Sequence, residues 1–190
     1  MSPLPAEPVS PASDRYERAL LSALGCPEPQ TSPGGWAYQM LFVPTFERCS
    51  AATLIQTPSG VECYFSLLLG RTDDLFEAAY RAPETLSDLL AQPRSRLCEV
   101  ALVPAESAIA LCQTLQQIDP SRLTSVNNGG RDGLLVRSRW SSQGRSRTLW
   151  MLQPTATDNP KHTQWIRSTL AILHQCFPDP PLQAYLQGLA

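Results

Sequence analysis

Proline does most to limit what this chain can fold into. It occupies 18 of the 190 positions. A proline locks φ and has no N–H to donate, so helix interiors and central strands exclude it, while first turns, strand ends and loops accept it. The prolines therefore mark element boundaries before any periodicity is read. Pro44 ends one alternating segment, and Pro58-Ser59-Gly60 forms a turn between two others. Pro83 and Pro93 divide and close a helical stretch, and Pro104 and Pro160 fit the first turns of helices. Pro3, Pro5, Pro8 and Pro11 crowd the first dozen residues among few large apolar groups. That segment, 1–12, cannot bury enough surface to offset its ordering entropy and is expected to be a disordered tail.

Between these boundaries the apolar period distinguishes strand from helix. A helix capped by Ser13 or Asp14 carries Tyr16, Leu20, Leu21 and Leu24 and stops at Gly25 and Pro27. Residues 26–35 read as a loop. From Trp36, Tyr38, Met40 and Phe42 alternate with their neighbours as a strand does; Ala51–Thr57 and Val61–Leu69 follow as two more. Residues 70–95 form a helical insert of two short pieces, the first capped by Thr72, with Leu75, Phe76, Ala79 and Tyr80 as its apolar side. Arg96–Val103 is a strand. The stripe Ala108, Leu111, Leu115 and Ile118 marks a longer helix. Asn127–Gly133 is a loop with an Asp132-Gly133 step. Leu134–Trp140 and Arg147–Gln153 make a hairpin across Ser141–Gly144, and Asn159 caps a helix bearing Ile166, Leu170, Leu173 and Phe177. Leu182–Leu189 forms a short amphipathic end. The expected fold is α+β over residues 13–190: an antiparallel sheet of about five to six strands, with helices packed mainly on one face.

Several function classes lack a basis in this sequence. No apolar run approaches the ~20 residues of a membrane span, and the first residues have neither a basic nor an apolar signal region. The six cysteines form no C-x-x-C pair. They are expected as reduced thiols, mostly buried, with Cys63 and Cys112 in the core, in a cytoplasmic protein. There is no G-x-S-x-G elbow, phosphate-binding glycine loop or H-E-x-x-H. His162 and His174 are twelve residues apart on one helix, too far to share a metal, and are expected at the surface. Asp73 and Glu77 share a helix face beside Asp74, yet acids there also simply favour the helix dipole. Gly129, Gly130 and Gly133 flank Arg131 but lead into a strand, without the helix N-terminus that binds phosphate. No catalytic residue, cofactor or metal site is assigned.

The least ordinary feature is the charge distribution. Net charge is −2 and Lys161 is the only lysine. Arg122, Arg131, Arg137, Arg139, Arg145 and Arg147 nevertheless fall between residues 120 and 150, against the single acid Asp132. Alternation along the hairpin is expected to set Arg137, Arg139, Arg145 and Arg147 on the face opposite Leu134, Val136 and Trp140, with Arg131 nearby. Guanidinium groups so placed suit acidic protein side chains or phosphates. Without interleaved exposed aromatics the nucleic-acid signal is weak.

Tyr38-Gln39-Met40-Leu41-Phe42-Val43-Pro44-Thr45-Phe46, the Asp132-Gly133 step, the following hairpin and the closing helix resemble a small uncharacterised bacterial α+β family. The chain departs from its pattern at Gln39, where arginine is usual, and at Leu149–Pro154. That resemblance implies a fold and no activity. The element order is also similar to that of type III secretion chaperone-like domains, which bind protein segments; the insert at 70–103 departs from it. The resulting expectation is a non-enzymatic protein-binding module, chaperone-like or immunity-like, using the five arginines. A nucleic-acid-binding accessory protein using the same residues is the alternative, and an enzyme of unfamiliar type the third reading.

Overall fold

The structure, a computed structural model, describes residues 10–31, 35–45, 47–129 and 133–189. It is α+β: six α-helices around one seven-stranded sheet. In chain order the elements are α1 (Pro11–Leu24), β1 (Trp36–Pro44), β2 (Ser50–Thr57), β3 (Gly60–Leu68), α2 (Asp73–Arg81), α3 (Leu86–Ala91), β4 (Arg96–Leu102), α4 (Ala105–Ile118), β5 (Val126–Asn127), β6 (Leu134–Ser142), β7 (Arg145–Leu152), α5 (Pro160–Cys176) and α6 (Pro180–Gly188). The sheet order is β4-β3-β2-β1-β6-β7-β5. Strands β1 to β3 and the β6–β7 hairpin are antiparallel through short connections, β4 returns antiparallel to β3 after the α2–α3 insert, and β1 pairs antiparallel with β6. The sheet is mixed rather than purely antiparallel, because the two-residue β5 adds parallel to β7. It has one strand more than expected, since two residues carry no readable period.

The helices do not gather on one face. Tyr38, Met40 and Phe42 point with Phe65, Val136, Leu149 and Met151 into a core closed by α4, α5 and α6. Leu41, Ala51 and Leu68 point the other way and pack on α1 and α2. Seven consecutive residues of β1, Trp36 to Phe42, are consequently buried. A strand covered on both sides has no polar face, as the β1 sequence itself shows. On the α4–α6 side an aromatic group fixes the centre. Trp36 stacks on Trp140 at 6.0 Å, and Trp165 meets Tyr38 edge-on at 5.4 Å. Thr169 Oγ1 donates to the Trp165 carbonyl at 3.0 Å, which leaves it to accept the Tyr38 hydroxyl at 3.0 Å.

Helix α1 starts earlier than the sequence suggests. Ser10 is its cap, accepting from the Ser13 N–H at 3.2 Å, and Pro11 sits in the first turn, where its missing N–H costs nothing. Ser10, Pro11 and Ala12 therefore belong to this helix; the rest of the expected tail, residues 1–9, lies outside the described residues. Gly25 ends α1 at φ 64, a left-handed conformation that glycine adopts without a Cβ clash. Thr72 and Asn159 start α2 and α5 but make no side-chain cap bonds. His162, expected at the surface, is buried instead, with Nε2 2.8 Å from the Thr124 carbonyl. Half-buried His174 meets Gln183 Oε1 at 2.6 Å. All six thiols are free, with Cys63 in the core and Cys112 against it, whereas Cys98 is exposed on β4.

Candidate functional site

The hairpin turn is tighter than expected. Gln143 and Gly144 both have positive φ, 50° and 72°, as a two-residue turn matched to the strand twist requires. Ser142 pairs with Arg145, and Arg137 with Trp150. With two loop residues, every odd-numbered position on β6 opposes an even-numbered position on β7. Directly opposed residues share a face, so the four odd-numbered arginines cannot form one row. Arg137 and Arg139 face α1. Arg145 and Arg147 face the opposite side, where Arg147 Nη1 donates to the Ser121 carbonyl. Arg145 is exposed. Arg131 lies outside the described residues. Leu134, Val136 and Trp140 do pack in or against the core, as alternation on β6 requires.

Arg137 is no free surface charge. Its side chain is only 13% exposed. One guanidinium nitrogen lies 2.9 Å from Asp14 Oδ1, and Nε contacts Glu17 Oε2. Arg139 Nε reaches Glu17 Oε1 at 3.3 Å. Asp14 and Glu17 are one turn apart on α1, the spacing that puts both carboxylates on one face. Two acids and two arginines thus neutralise each other where α1 crosses the sheet. Burial pushes the Glu17 carboxyl above its ordinary value, and the charges of Arg137 and Arg139 oppose that rise.

Beside this cluster α1 stands away from β6–β7 and leaves a groove of about 300 Å3. Tyr16, Glu17 and Leu20 form one wall, and Leu135, Trp150 and Leu152 the other. The groove shares Ser13, Tyr16, Val43 and Leu135 with a larger cleft of about 860 Å3 that runs on to α2 and α6. Tyr16 hydrogen-bonds Thr72 Oγ1 at 3.0 Å and meets Phe76 edge-on at 5.4 Å. Phe76 stacks on Tyr80 at 4.4 Å. The sequence places Phe76 and Tyr80 on the buried side of α2. Leu75 and Ala79 are fully buried there, but Phe76 and Tyr80 are 45% and 42% exposed and line the cleft. Their i, i+4 spacing puts them on one face, but Leu75 and Ala79 are spaced alike and buried, so spacing alone does not mark the exposed pair.

The groove beside α1 offers apolar contact with a few hydrogen bonds, and the larger cleft adds the charged groups of Glu47, Arg48, Arg71 and Asp73. Burial raises both the Tyr16 hydroxyl and the Cys49 thiol, so each keeps its proton at neutral pH. Neither cleft is lined by histidine. The Asp73–Glu77 pair is divided, Asp73 bonding Arg71 at 2.6 Å and Glu77 bonding Arg81 at 3.1 Å. Among the described residues no three His, Cys, Asp or Glu side chains gather as metal ligands, and no helix is long and apolar enough to cross a membrane. No protein-family model, no curated protein and no solved structure matches the chain.

Proposed function

We propose that this chain is a non-enzymatic protein-binding module, chaperone-like or immunity-like, that seats an apolar segment of a protein partner in the cleft beside α1. One observation carries the reading: an apolar groove between α1 and β6–β7, with Tyr16 and Trp150 in its walls, whose adjacent charges, Asp14, Glu17, Arg137 and Arg139, neutralise one another, and which opens into a larger cleft of mixed polarity bearing Phe76 and Tyr80. Exposed aromatic side chains supply large contact area at low entropic cost, and apolar surface gathered in a concave site marks an interaction site. The arginines contribute by holding α1 in place more than by offering charge. The nucleic-acid alternative keeps only Arg145, Arg147 and Arg131 as candidate phosphate ligands. We place the module in the cytoplasm, where six unpaired thiols stay reduced.

The test is a panel of fluorescent peptides, amphipathic and polar, titrated against the full chain and against Leu135→Glu. Amphipathic peptides are expected to bind with micromolar or tighter affinity, at least tenfold better than polar ones. Leu135→Glu should abolish that binding while the circular-dichroism spectrum holds. Failure of every apolar peptide to bind, or a steeply salt-dependent affinity for RNA or DNA in its place, overturns the reading.

A further inference from the structure

The two ends of the sheet differ. At one end β5 is two residues long and offers almost no edge. At the other, β4 presents seven residues without a proline or lysine, the residues that commonly blunt such an edge. Its one basic residue, Arg96, turns back and donates to the Ala23 carbonyl at 3.0 Å. Val100 is the most exposed large apolar side chain among the described residues, at 62%, and Leu102, two positions on and on the same face, is at 60%.

The backbone on this edge is ready to pair. The Val103 N–H donates to Val61 at 2.8 Å, and the Ser95 carbonyl accepts from Leu69 at 3.0 Å. Odd-numbered residues of this stretch therefore direct their backbone groups toward β3. Antiparallel geometry turns those of Arg96, Cys98, Val100 and Leu102 to the open side. We infer that this edge pairs with the β4 edge of a second copy of the chain, antiparallel about a two-fold axis at Val100.

Charge excludes the neighbouring register at Glu99, and the exposed apolar side chains of β4 favour pairing about Val100. An isologous pair keeps both sheet faces continuous, so directly opposed residues must have the same parity. Centring the axis on Glu99 would set Glu99 against its own copy, a like-charge pair. Centring it on Val100 sets Val100 against Val100, Cys98 against Leu102 and Glu99 against Ala101. The outward-facing residues then all meet outward-facing ones, and the exposed apolar side chains cover each other. At ~3.3 Å per residue the edge is about 23 Å long; with one adjoining helical layer it offers each copy on the order of 450 Å2. That is about 900 Å2 in total, below the standard interface and in the range of weak, transient pairs, so the dimer is weak, with a dissociation constant of about a micromolar or more. The surface lies at the far end of the sheet from β6–β7 and leaves the cleft beside α1 open.

Sedimentation equilibrium of the full chain from ~1 to ~200 µM measures this. The expected result is a shift from 20.9 kDa toward twice that mass. Val100→Lys/Leu102→Lys, altering two exposed side chains, should stay monomeric throughout with an unchanged Tm. Glu99→Gln should leave the dissociation constant within about twofold of the wild type. A wild type that stays monomeric at the highest concentration, or a double-lysine variant that dimerises equally well, overturns the proposal. A tenfold tightening by Glu99→Gln overturns the register.

Discussion

The ionic cluster under α1 makes an asymmetric prediction. Arg137→Met leaves the Glu17 carboxylate, 5% exposed, with Arg139 alone at 3.3 Å. Stripping one partner from a buried pair costs about 3–5 kcal/mol, because the other charge stays desolvated. Arg139 offsets part of that, so about 2–3 kcal/mol is expected. Glu17→Gln acts differently. Burial is the largest influence on the Glu17 carboxyl and raises it, so ionisation is less favourable here than in water despite two arginines. Gln removes that cost, and Arg137 keeps Asp14 at 2.9 Å, at the half-exposed end of the cluster. The expected loss is under about 1 kcal/mol. The double variant should be more stable than Arg137→Met alone, the sign that identifies a buried carboxylate needing its partner. Urea unfolding at neutral pH is the assay. With m of about 2.5 kcal/mol/M, Arg137→Met lowers the midpoint by roughly 1 M and Glu17→Gln by less than ~0.4 M. Equal losses, or a larger loss for Glu17→Gln, would refute this account of α1 docking.

Two further substitutions test other parts of the structure. Burial holds His162 below its ordinary value of 6.5, so the unfolded chain takes up a proton first as pH falls, and stability declines from about pH 6.5 downward. His162→Gln, which keeps a donor for Thr124, should flatten that decline between pH ~7 and ~5 in urea titrations; an unchanged slope counts against it. Gly25→Ala should cost about 1–2 kcal/mol in thermal melts, since the residue sits at φ 64. A new Cβ would also lie 2.5 Å from the Arg96 guanidinium, which bonds Ala23. A Tm within a degree of wild type would show that this helix end adapts freely.

Much of the fold was legible in the sequence because proline and period two act locally. β1 to β4 and the long helices follow from Pro44, Pro58, Pro104 and Pro160 with their flanking stripes. What escaped depends on distant packing. Whether Leu41 and Val43 meet solvent or α1 is decided by a helix some twenty residues earlier, so one-sided coverage was the wrong inference. β5 is too short to show any period. The arginine row failed for a different reason, since the parity of a hairpin follows from its loop length. Once Gln143-Gly144 is the turn, Arg137 and Arg147 fall on opposite faces. The groove depends on both features, the α1 cover and the hairpin parity, since it lies where Arg137 of β6 meets Glu17 of α1. Ser10 was hidden because Pro11, which reads as part of a proline-rich tail, serves instead in the first turn of α1.

The place of β1 in the sheet also dictates an order of assembly. β2 and β3 zip through a tight turn, β1 joins β2 across a short connection, and β6–β7 zip through another tight turn, but the seam joining the two groups runs between β1 and β6. Closing a loop of about 90 residues costs roughly 3 kcal/mol more in chain entropy than closing a three-residue turn. The seam is therefore the last contact to become favourable, and the refolding rate is governed by it rather than by either hairpin. Trp36 on β1 and Trp140 on β6 stack across this seam. Their fluorescence should change in the slowest refolding phase, after the far-ultraviolet dichroism has largely recovered. A tryptophan signal complete in the fast phase would mean that the two halves find each other first and that the hairpins form within an already closed chain.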